Sequence, residues 1–209
     1  MVFNHKWLNL VLISSVILVL TACGDDSSEA DTTGDHQQEQ AIEPQFDVQV
    51  ENFNYTNQDG EQVSLDDLKG TYWVADFIFT SCETVCPPMT ANMSKLQQKL
   101  EEEGLDVRLV SFSVDPHVDD QEALKEFGDK FGADYSNWDF LTGYDQKEIE
   151  SFAADSFKTL VSKVDGNDQV NHGTSFMIVN PEGKMINRFK GTSLEEMDQI
   201  VKYLNHYMN

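Results

Sequence analysis

The chain has 209 residues, and its 37 acidic against 14 basic side chains leave a formal charge of −23. That balance argues against nucleic acid or an anionic lipid surface as a partner held by charge; it is compatible with cations, basic protein surfaces or plain solubilisation. The length suffices to bury a full core without disulfide staples, so the three cysteines are not needed as a scaffold.

Lys6 precedes an apolar run from Leu8 to Leu20 that ends at Leu20-Thr21-Ala22-Cys23. The run is short for a membrane span of about 20 residues. Small residues ahead of a cysteine suit a signal peptidase, and the tetrapeptide resembles the lipobox of bacterial lipoproteins. The expectation is a signal peptide at 1–22, cleavage before Cys23 and lipidation of its sulfur, which tethers the protein to the membrane without spanning it; an uncleaved transmembrane anchor is the alternative. Residues 23–44, rich in Asp, Ser, Glu, Thr and Gln, read as a flexible acidic tether. One domain remains, 45–209.

Within it, Gln45 to Val50 alternates polar and apolar side chains as a half-buried strand does. Asn57-Gln58-Asp59-Gly60 marks a turn with Gln62 to Leu65 returning from it, an added N-terminal hairpin. Tyr72 to Phe79 is apolar enough for a central strand covered on both faces, with Asp76 as its odd member. Met89, Met93, Leu96 and Leu100 recur at helical spacing up to Gly104, which makes the two methionines core residues rather than thioether ligands. Val107 to Val114 is the next strand. A helix at Gln121–Phe131, a strand at Trp138–Leu141 and a helix at Gln146–Phe157 follow. Thr159–Lys163 and Thr174–Val179 are extended, Asn180-Pro181-Glu182-Gly183 turns into Lys184–Phe189, and an amphipathic helix from Leu194 to Tyr207 closes the chain. This order predicts an α/β sandwich around a central mixed sheet with flanking helices, and the paired cysteines after the first central strand point to a thioredoxin-like fold.

With Cys23 taken by lipid, Cys82 and Cys86 remain. A bridge between them closes so short a loop that it constrains little of the unfolded chain, so the pair reads as chemical rather than structural. Cys82 falls at a strand end and Cys86 at the start of a helix, where Pro87 and Pro88 are tolerated because their N–H groups are not needed. A helix N-terminus favours thiolate over thiol, and a thiolate is both a nucleophile and a soft ligand for Cu(I). Among the histidines, His5 and His36 lie in the leader and tether and His206 on a polar helix face. His117 and His172 are left as rival ligands.

Three motifs in order resemble the Sco family: Thr80-Ser81-Cys82-Glu83-Thr84-Val85-Cys86-Pro87, Ser111-Phe112-Ser113-Val114-Asp115-Pro116, and Val170-Asn171-His172-Gly173-Thr174-Ser175-Phe176 followed by Asn180-Pro181-Glu182-Gly183. The resemblance covers the domain from about Pro44 onward. It implies one copper, Cu(II) or Cu(I), bound by Cys82, Cys86 and His172, so His172 is preferred over His117. Glu83-Thr84-Val85 replaces the Pro-Asp pair commoner between the family's cysteines. By the same resemblance Asp115 supports the copper site or docks a partner; its plainer role is to cap the turn that follows.

The resemblance implies a metallochaperone for the binuclear copper centre in subunit II of cytochrome c oxidase, lipid-anchored on the outer face of a bacterial membrane, with an exported thiol reductase or copper donor as further partners. A thiol–disulfide oxidoreductase using Cys82 and Cys86 on the same copper site's cysteines is the alternative. General reductases of this fold have CxxC and a proline before the facing strand, whereas here the spacing is CxxxC and His172-Gly173-Thr174 takes that place. A thiol peroxidase, faintly echoed by Phe79-Thr80 and Val85-Cys86-Pro87, lacks an arginine beside the site, since Arg108 and Arg188 lie elsewhere. Structural zinc lacks a fourth ligand.

Overall fold

The computed structural model describes residues 43–164, 166 and 169–209; the leader, Cys23 and most of the tether lie outside them. The chain runs β1 (Val48–Gln49), β2 (Asn54–Asn57), β3 (Gln62–Ser64), the short helix α1 (Leu65–Leu68), β4 (Tyr72–Ile78), α2 (Cys86–Glu102), β5 (Val107–Ser113), α3 (Gln121–Phe131), β6 (Trp138–Thr142), α4 (Gln146–Phe157), β7 (Val161–Lys163), β8 (Val170–His172), β9 (Ser175–Val179), β10 (Lys184–Lys190) and α5 (Glu195–Met208). Eight strands form one mixed sheet in the order β1-β10-β9-β4-β5-β6-β2-β3, while β7 and β8 pair apart from it. Strands β4, β5 and β6 are parallel, as strands joined through crossover helices must be, and β9 enters antiparallel on the far side of β4. The architecture is a thioredoxin-like sandwich with the expected hairpin, β2–β3, added beyond β6.

Strand β4 is central because it is apolar on both faces: Trp73 to Ile78 are all buried. On one face Phe112 of β5 meets Phe53, Phe77, Phe152 and Phe157 at ring centroid distances of 5.5, 5.5, 5.2 and 6.1 Å. Side chains alternate along a strand, so Val74, Asp76 and Ile78 point to the opposite face. Met89, Met93, Leu96 and Leu100 of α2 are wholly buried, as their spacing required. The expected first strand is shorter than its alternation suggests: only Val48 and Gln49 join β10, because the N–H groups of Gln45 and Phe46 both converge on the Ile186 carbonyl.

Helix ends follow their caps. The Asp120 carboxylate accepts the Ala123 N–H at 2.9 Å to open α3, and Gly132, at φ 68°, closes it in the left-handed conformation that glycine adopts without strain. Asp120→Ala is expected to cost about 1 kcal/mol of stability, measured as a lower urea midpoint at unchanged slope.

Candidate metal centre

The site forms where β4 and β5 end and α2 begins. After Ile78 the chain turns through Phe79-Thr80-Ser81, and the Cys82 N–H donates to the Phe79 carbonyl at 3.2 Å. Asp119, fully buried, fastens this turn: its carboxylate accepts the Thr80 N–H at 3.2 Å, the Thr80 hydroxyl at 2.6 Å and the Ser113 hydroxyl at 2.6 Å. Burial raises the Asp119 pKa, and these donors only temper the rise. The cysteine loop is thereby tied to the end of β5.

Helix α2 has no side-chain cap at Val85. A sulfur takes that place, since the Cys86 N–H points at Cys82 Sγ from 3.4 Å. Burial pushes the Cys82 thiol up, but the N–H groups of Cys86, Thr84 and Val85, with the Cys86 side chain, outweigh it and hold the pKa below its ordinary value. Cys86 is the opposite case. Burial drives its pKa well above the ordinary thiol value, and the neighbouring Cys82 and Asp76 charges add to the rise. The two sulfurs therefore differ, with Cys82 giving up its proton the more readily.

His172 is the last residue of β8 and arrives from the separate β7–β8 ribbon. Its Nε2 lies 3.4 Å from Cys86 Sγ, and its ring stands edge-on to Phe79 with centroids 5.6 Å apart. Nδ1 is 2.9 Å from the Gly173 carbonyl, which only accepts, so Nδ1 carries the ring proton and Nε2 turns its lone pair toward the sulfurs. Burial lowers the His172 pKa below 6.5, countered only in part by the Gly173 carbonyl. The imidazole is therefore neutral at pH 7, as a metal ligand must be.

Ligand atoms of Cys82, Cys86 and His172 all lie within 4.8 Å of one another. Among the described residues, no other cysteine, histidine and carboxylate group comes together in this way. Two thiolates and one neutral nitrogen are a soft donor set that fits copper in either oxidation state and leaves zinc short of its usual fourth ligand. His117 is exposed and outside the group, and His206 is exposed on α5. Asp115 is buried at the end of β5 and pairs with Lys163 of β7, with Nζ to Oδ2 2.5 Å. No sequence signal announced Lys163 or Asp119, because each acts on a residue far away in the chain.

The SCO1/SenC family model matches residues 43–209, the whole of the described domain. The chain belongs to the SCO1/SenC family. A SCO1/SenC family lipoprotein from Bacillus anthracis is 48% identical with a TM-score of 0.76, over 78% of this chain and 97% of that one. BsSco, described as a member of the Sco family of cytochrome c oxidase assembly proteins, is 50% identical with a TM-score of 0.73, over 80% and 96%. The copper-bound ScoI of Arabidopsis thaliana is 25% identical with a TM-score of 0.64, over 75% and 98%. Of the three motifs that carry the Sco resemblance, the first runs from the loop after β4 into the start of α2, the second ends β5 and the third spans β8 into β9. No helix among the described residues is long and apolar enough to cross a membrane.

Proposed function

We propose that this chain carries one copper on Cys82, Cys86 and His172 and serves as a metallochaperone for the binuclear copper centre of cytochrome c oxidase subunit II. The observation that carries the reading is the convergence of the three donors within 4.8 Å, with Nε2 unprotonated. The copper in the related ScoI and the assembly role stated for BsSco support it. The lipoprotein relative supports a tether through Cys23 after removal of residues 1–22, with segment 23–44 holding the domain on the outer face of the membrane. Copper is cargo in this reading. The chain's own work is to hold two sulfurs and a neutral imidazole, with Nε2 free of a proton, around one point.

Thiol–disulfide exchange is the second reading, and the opposed shifts of the two thiols favour it. Cys82, held toward thiolate, would attack a disulfide sulfur of the partner and release that partner's other thiolate. Cys86 would then lose its proton and displace the partner from Cys82, leaving the Cys82–Cys86 disulfide and a reduced partner.

One experiment separates the two. The full chain carrying Cys23→Ser, purified reduced in detergent, is titrated with Cu(II) and followed by absorption and electron paramagnetic resonance. A one-to-one endpoint with a sulfur-to-copper charge-transfer band, lost in Cys82→Ala and in Cys86→Ala, is the expected result. No band, beside a readily exchanged disulfide, would leave the oxidoreductase.

A further inference from the structure

The ribbon that brings His172 stands outside the main sheet, and a two-stranded ribbon is marginal on its own. Its register sets Val161 opposite His172 and Lys163 opposite Val170. Side chains two apart on a strand share a face with their direct cross-strand partners. Val161, Lys163, Val170 and His172 therefore form one four-residue face. Val161 and Val170 are only 3% and 5% exposed, so this face is the one pressed on the domain, while Asn171 on the other face is exposed.

His172 and Lys163 are diagonal corners of that face, about 7–8 Å apart in ordinary sheet geometry. One corner reaches Cys86. The other reaches Asp115, which is itself held rigidly: its N–H donates to Ser113 Oγ at 3.2 Å, and its carbonyl accepts the Val118 and Asp119 N–H groups at 3.0 and 2.9 Å. The same Asp119 fastens the cysteine loop through Thr80. A second tie comes from α4, where Glu150 Oε1 accepts the Lys163 N–H at 3.1 Å.

We propose that Lys163 is a positioning residue for the metal centre. Its ion pair with Asp115 latches the ribbon so that the His172 imidazole stands against the two sulfurs. The two valines bury the face but do not set its position along the domain, since apolar contact has no direction. The ion pair does, because sliding the ribbon would strand the Asp115 carboxylate, 1% exposed, without its cation. The latch rests on the copper reading for its purpose, though not for its geometry.

The test uses the full chain carrying Cys23→Ser, in detergent, with Lys163→Met, Lys163→Arg and the double variant Lys163→Met/Asp115→Asn. The double variant removes the unpaired buried charge and decides the matter should Lys163→Met not fold. A metal-free readout is the nuclear Overhauser contact between the Phe79 ring and the His172 imidazole. With one equivalent of Cu(II), the readouts are imidazole nitrogen coupling in the electron paramagnetic resonance spectrum and the rate of copper loss to a chelator. Both methionine variants are expected to melt cooperatively, to lose the ring contact, to weaken the nitrogen coupling and to lose copper about tenfold faster or more, the scale seen when a ligand's supporting partner is removed. Lys163→Arg is expected to restore all three. Wild-type contact, coupling and release rate in the folded methionine variants would overturn the latch. If the parent chain binds no Cu(II), the copper reading falls, and the ring contact alone decides the latch.

Discussion

Replacing His172 with alanine is expected to weaken Cu(II) retention by more than about 100-fold, since losing merely an outer partner of a ligand costs roughly 10–100-fold. The fold should persist, because His172 is partly exposed and its ring contact is a single T-shaped one with Phe79. Competition against a graded series of chelators measures the affinity. Near-wild-type retention in the variant would remove His172 from the site and leave the two sulfurs alone.

The same geometry sets the pH dependence. A proton competes for Nε2 only once the pH falls below the lowered His172 pKa, so on this ligand's account retention holds through neutral pH and declines below 6.5. Cys82 is held below the ordinary thiol pKa of 9.0, whereas Cys86 lies above it and keeps its proton at pH 7. Loading at pH 7 must therefore expel the Cys86 proton. Calorimetry in two buffers of different ionisation enthalpy should show at least one proton released per copper. His172→Ala should release as many as the parent, because a neutral imidazole has none to give at Nε2.

What could be read from the sequence depended on how local each signal was. Spans Gln121–Phe131 and Gln146–Phe157 agree with α3 and α4 because Asp120 and Asp145 cap them from the adjacent residue. Cys82 and Cys86 could be placed at a strand end and helix start because an apolar run leads in and Pro87-Pro88 leads out. The β7–β8 ribbon was not legible as a pair. Three-residue strands carry too little alternation to register, so His172 reads as lying just ahead of a strand, as it does ahead of β9, without showing that it also ends one. Asp115 with Lys163 and Asp119 with Thr80 join residues 48 and 39 positions apart, which no local pattern encodes. Asp76 was conspicuous as the one charge in an apolar run, yet its surroundings emerge only from the packed sheet.

Those surroundings make Asp76→Val the second large effect, a gain in stability of about 4 kcal/mol at pH 8. Asp76 is fully buried on the middle strand, and neither carboxyl oxygen has a hydrogen-bond partner of normal geometry. Burial raises its pKa from 3.8 to about 7, with the Ser111 hydroxyl opposite it on β5 relieving this only in part. Each unit of such a shift corresponds to about 1.4 kcal/mol. Below pH 3.8 the carboxyl is protonated folded or unfolded, and ionisation costs nothing. Between that value and about 7 the unfolded chain has ionised while the folded one holds its proton, so stability falls as pH rises; above 7 the full penalty stands. Valine suits a central strand, and the variant should lose one proton's worth of pH slope across this window. Urea unfolding at pH 4 to 8 tests it, and an unchanged slope would show that Asp76 is not the titrating group. A carboxylate buried there without a hydrogen-bond partner of normal geometry opposes stability, and the group its charge reaches is Cys86, whose proton it helps to retain. In Asp76→Val the Cys86 thiol should therefore ionise more readily and react faster with an alkylating reagent at pH 8. A more stable protein with a less guarded second sulfur is the trade that the native residue avoids.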